Sequence, residues 1–148
     1  AVLVAVTAGW VWWHDFHISR TSILDGPVTI EPDDPLKIEF RRPKRRVRQE
    51  IFVAVRLGKR HKSIARSETE NYGVVFDNGR KVQVAVICHG TNGAQWKLSL
   101  YSNSGDSLLF RFDPLHKPSS RQRFVGLELI TSDRLYVEEV VWTDGWLK

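Results

Sequence analysis

The chain has 148 residues, of which 42% are hydrophobic and 26% charged; that balance excludes a disordered chain and suits one domain with a real core. Lys and Arg number 22 against 17 Asp and Glu, a net charge of +5, so anionic partners come into question. A single cysteine, Cys88, excludes an intrachain disulfide framework.

Residues 1–13 (Ala-Val-Leu-Val-Ala-Val-Thr-Ala-Gly-Trp-Val-Trp-Trp) carry no charge and end on three of the six tryptophans. Indole rings favour the headgroup zone, where the ring is half apolar and its N–H stays wet. The expectation is therefore the end of a membrane-anchoring helix, with Trp10, Trp12, Trp13, His14 and His17 at the interface. A span needs roughly 20 apolar residues. Thirteen fit if upstream residues complete the span or if the segment enters one leaflet. Two other readings stay open: a signal-peptide remnant, with Val6-Thr7-Ala8 as a small-residue cleavage site, and a buried first strand. Between 14 and 36 the only Lys or Arg is Arg20, against five acidic residues. Basic residues near a span favour the cytoplasmic side, so their scarcity points to a globular domain on the periplasmic or extracellular side. His14 and His17 are three apart, which would place them on one helix face, but a single such pair is a weak metal signal and reads first as interfacial.

Residues 14–22 read as a connector, and 23–148 as an antiparallel β domain. After 23–30 comes Glu31-Pro32-Asp33-Asp34-Pro35, whose prolines fix φ and whose aspartates bond their own backbone in a turn. In 36–42, Leu36, Ile38 and Phe40 share one face and Lys37, Glu39 and Arg41 the other, the mark of a half-buried strand. Residues 50–57 are apolar on both faces and predict a central strand. Asn78-Gly79, between 72–77 and 80–88, predicts a hairpin because both residues tolerate positive φ. Trp96, Leu98 and Leu100, then Ser102-Asn103-Ser104-Gly105, then Leu108–Phe112 predict a second hairpin. Residues 113–122, with Pro114 and Pro118, predict an exposed loop. Phe124–Ile130 and Leu135–Trp142, around Thr131-Ser132-Asp133, predict a third hairpin. Eight or nine short strands and no helix after residue 20 make a mainly β chain, an antiparallel β-sandwich or jelly roll, with a small closed barrel as the alternative.

Trp96-Lys97-Leu98-Ser99-Leu100-Tyr101 and Leu135-Tyr136-Val137-Glu138-Glu139-Val140-Val141 resemble strands of jelly-roll carbohydrate-binding modules. The resemblance covers about a third of the chain and implies the fold, with no ligand-binding residue carried over.

Arg41, Arg42, Lys44, Arg45, Arg46 and Arg48 put six cations in eight positions, and Lys59, Arg60 and Lys62 follow. Such a run can face phosphates, anionic headgroups or an acidic protein surface. Nucleic-acid binders interleave exposed aromatics for stacking, whereas Phe40 and Phe52 fall on apolar strand faces here, which disfavours nucleic acid. Pro43 within the run points to an edge strand. Cys88-His89 and the paired carboxylates Asp33/Asp34 and Glu138/Glu139 are adjacent residues, and neighbours on a strand diverge, so no nucleophile–base or acid–base couple is expected. Trp142 and Trp146 are expected to cap the core or dock on a partner. The chain reads as a non-catalytic accessory subunit of a membrane complex, without cofactor or metal. Its alternative is a membrane-tethered module that binds carbohydrate or an envelope polymer through a row of exposed aromatics among Trp96, Tyr101, Tyr136 and Trp142.

Overall fold

Alternation sets the architecture. Along Val82, Val84, Val86 and Cys88 every second residue is fully buried, while Gln83 between them is exposed and Ala85 and Ile87 are half-buried. The computed structural model describes residues 19–45, 50–58, 63–66, 73–77, 79–104 and 106–145, and the expected anchor at 1–13 lies outside them. In chain order the strands are β1 (Ser19–Ser22), β2 (Val28–Ile30), β3 (Leu36–Arg45), β4 (Glu50–Arg56), β5 (Ser63–Arg66), β6 (Gly73–Asp77), β7 (Arg80–Gly90), β8 (Gln95–Lys97), β9 (Ser99–Ser104), β10 (Ser107–Arg111), β11 (Arg123–Thr131), β12 (Leu135–Val137) and β13 (Glu139–Gly145). The described residues contain no helix, hence none long and apolar enough to cross a membrane.

Two antiparallel sheets carry the fold. One runs β1-β13-β4-β10-β9; the other runs β3-β11-β7-β6-β5, with β8 also paired to β7. β2 and β12 form a separate pair. Val53 and Val55 of β4, Val84 and Val86 of β7, Leu127 and Leu129 of β11, and Val140 and Trp142 of β13 belong to one buried cluster, so the sheets share a core in a sandwich-like arrangement. The central place expected for 50–57 is occupied by β4, between β13 and β10.

The described residues form thirteen strands against the expected eight or nine: β1 and β5 are added, and the chain changes sheets at single residues in two places. Trp96 pairs with Cys88 through β8, whereas immediately beyond Leu98, from Ser99, the strand β9 pairs with β10. Likewise Leu135–Val137 pairs with β2, and beyond Glu138 the strand β13 pairs with β4. The stretch read as connector contributes β1, whose Ser19 lies opposite Asp144.

The first two hairpins form: Asp77 lies opposite Arg80 with Gly79 at φ +78°, and Ser104 lies opposite Ser107. Asn78 lies outside the described residues. The third hairpin does not form. β11 is filled on both edges, by β3 and β7, so Leu135 crosses to β2 and β13 joins the opposite sheet. Ser132 secures that departure: its backbone N–H donates to the Gln83 carbonyl at 3.0 Å, and its hydroxyl accepts from the Gln83 N–H at 2.7 Å.

Candidate functional site

β1 and β3 are edge strands of opposite sheets, and a cleft of about 570 Å³ opens between them. One wall carries Thr21, Ser22 and Asp25; the other carries Glu39, Phe40, Arg41, Arg42 and Lys44 of β3. β3 pairs only with β11, which gives Pro43 the edge position that its missing N–H requires. The register slips between Phe124, opposite Lys44, and Gly126, opposite Glu39, so Phe40, Arg41, Arg42 and Pro43 form a bulge on β3. Charges on such an edge also oppose edge-to-edge aggregation.

Arg41 and Arg42 are exposed, and among the described residues neither makes an ion pair. Lys44 is half-buried, with Nζ 5.4 Å from the centroid of the Phe40 ring, a cation–π contact that holds the ammonium over the sheet rim. Three cations against two carboxylates, Asp25 and Glu39, leave the cleft an excess of one positive charge. The cleft is therefore a polar groove with basic bias, and the cationic sequence continues along β3 to Arg45. Of the other residues expected to meet a partner, Arg46, Arg48, Lys59, Arg60 and Lys62 lie outside the described residues, as do Trp10, Trp12, Trp13, His14 and His17 at the expected membrane interface. Trp146 does too. Sequence reading missed Thr21, Ser22 and Asp25 as the facing wall; no local signal marks them, because their role comes from β1 pairing with the last strand.

A second groove, of about 330 Å³, is lined by Asp25, Tyr136, Glu138 and Glu139 among others. Here the expected divergence of Glu138 and Glu139 fails. Glu138 lies between β12 and β13, where the strand breaks, so both side chains reach the Arg56 guanidinium, each at 3.7 Å, with Asp106 at 3.6 Å. An arginine held by three carboxylates is an ion-pair cluster joining β4 to the starts of β10 and β13. It offers no acid and base facing a substrate.

Cys88 and His89 do diverge. Cys88 is fully buried, and desolvation pushes its thiol far above the ordinary range, which leaves no thiolate to act as nucleophile. His89 faces the other way and meets Glu128 across β11 at 3.2 Å. Among the described residues no three His, Cys, Asp or Glu side chains gather as a metal site.

Among the described residues the aromatics form no exposed row. Trp142 is 2% exposed and Trp96 packs against the core, whereas Tyr101 and Tyr136, 40% and 41% exposed, sit on β9 and β12, in different sheets. Comparison with protein-family models, curated proteins and solved structures finds no match to this chain.

Proposed function

We propose that this protein is a non-catalytic accessory subunit of a membrane protein complex, held by its N-terminal apolar segment and docking its β domain on an acidic face of the assembly through the β1/β3 cleft. The observation that carries the reading is the cleft itself: an open groove between two edge strands, lined by Arg41, Arg42 and Lys44 and holding no couple suited to acid–base or nucleophilic chemistry. The strand order β1-β13-β4-β10 facing β3-β11-β7-β8 supports a jelly roll, a fold that serves binding as readily as catalysis. The acidic bias of residues 14–36 supports a domain on the periplasmic or extracellular side. Its partners are the other subunits and the bilayer.

The test is the mass of the detergent-extracted protein. The wild type is expected to migrate with larger polypeptides. The pair Arg41→Glu and Arg42→Glu is expected to weaken that association by about tenfold or more, with the wild-type interaction fading as salt rises. A variant that migrates with the same assembly at every salt concentration would remove the cleft from the interface.

A further inference from the structure

Strand connectivity brings several chain segments to one end of the sandwich. Ser19, where the chain arrives from residues 1–18, lies opposite Asp144, and the adjacent Gly145 lies opposite Glu50 at the start of β4. β3 ends at Arg45, directly opposite Arg123 at the start of β11. The loop between Arg111 and Arg123 therefore emerges at this same end, beside the end of β7, where Gly90 faces Phe124. Ser19, where the described chain begins, thus lies at the end of the domain where Arg45 and Arg123 pair.

The loop is built to project. Both of its roots are anchored by aromatic rings: Phe112 and Phe124 lie 5.3 Å apart, and Trp96 packs edge-on against each at 6.2 and 5.7 Å. At the tip, the Asp113 carboxylate accepts from the Leu115 N–H at 2.9 Å, and the Asp113 carbonyl accepts from the His116 N–H at 3.0 Å. That closed turn holds Leu115 outward, 85% exposed, the most exposed large hydrophobic among the described residues. Buried Pro118 and the Gln122 N–H bond to the Ser119 carbonyl fix the return. Arg121 and Arg123 are exposed beside it, and Lys44 borders the same rim. An exposed leucine on a stiff turn, with Arg121 and Arg123 following in the same segment, gains at a surface that is apolar inside and anionic outside.

We propose that this end of the sandwich rests on an anionic bilayer, with Leu115 entering below the headgroups and Arg121 and Arg123 on lipid phosphates. The proposal uses the anchored-subunit reading to say which way the domain faces, but the contact itself is carried by described residues. Moving one leucine out of water favours binding by about tenfold to a hundredfold. Each cation at an anionic surface adds about fivefold.

The experiment uses the full chain with an environment-sensitive dye on Leu115→Cys or, as the far-end control, on Asp33→Cys, in the turn before β3. Cys88 is buried and stays unlabelled. Flotation and quenching by lipid-borne quenchers are read on phosphatidylcholine vesicles and on vesicles also containing phosphatidylglycerol. The expected result is quenching at 115 and not at 33 on anionic vesicles. Neutralising Arg121→Gln with Arg123→Gln should lower the equilibrium that quenching at 115 reports on anionic vesicles by about 25-fold. Flotation with both lipids but no quenching at 115 overturns the proposal and leaves the anchor standing. Quenching at 115 on anionic vesicles, without flotation on neutral ones, supports the proposal and removes the anchor. Absence of any association overturns both. A label shielded in native membranes but not on protein-free anionic vesicles means that a protein covers this end, which also overturns the proposal.

Discussion

Trp142 shows how one side chain joins distant parts of the chain. Its ring meets Phe40 of the opposite sheet at 5.2 Å and Phe124 at 5.7 Å, linking the last long strand to β3 and β11. Sequence reading left open whether Trp142 caps the core or meets a partner; burial assigns it to the core. Cys88 was legible in full, because strand alternation alone sets it with Val84 and Val86 and against His89. Its burial yields a direct expectation. In the native protein Cys88 should react with an alkylating reagent about a hundredfold or more slowly than in denaturant, because the thiolate is disfavoured and access needs opening of the core. Equal rates in the two states would place the thiol at the surface. The pairing of Glu138 and Glu139 on Arg56 was not legible. It depends on a strand break, and no local residue pattern marks where a chain leaves one sheet for another.

Elements with strong local signals formed as expected. Asn78-Gly79 and Ser104-Gly105 encode their turns, Leu36, Ile38 and Phe40 encode a half-buried strand, and Pro43 encodes an edge. The failed hairpin after Thr131 marks the limit of local reading. Thr131-Ser132-Asp133 is turn chemistry, but whether the next strand folds back depends on which edges of β11 are already occupied, and that is decided by β3 and β7, far away in sequence. The bulge pairing β3 with β11 has its own requirement. A Cβ on Gly126 would fall on the Ile38 carbonyl oxygen, a backbone atom that cannot swing aside. Gly126→Ala should therefore destabilise the fold by about 1–3 kcal/mol in urea unfolding, the range of overpacked sites. Gly26→Ala, with open space around the site, should stay within about 0.5 kcal/mol. If Gly126→Ala unfolds at the same urea concentration as Gly26→Ala, the close approach of β3 and β11 is wrong.

Across the whole molecule, charge and connectivity give the β domain a direction. The cleft between β1 and β3 opens along one side, and at one end the entry of the chain, the basic end of β3 and the Leu115 loop come together. The sequence displayed the cations and the apolar start as separate features, 28 positions apart when counted from Trp13 to Arg41. Only the pairing of β1 with β13 and of β3 with β11 sets Ser19, where the described chain begins, at the same end as Arg45. The central claim, an anchored non-catalytic subunit, is tested most directly by fractionating native membranes with alkaline carbonate and then with detergent, and weighing what detergent releases. The account expects the protein to remain in the membrane through carbonate and to leave in detergent together with other polypeptides. Release into carbonate as a free monomer would contradict it and return residues 1–13 to the alternatives of a core strand or a cleaved signal.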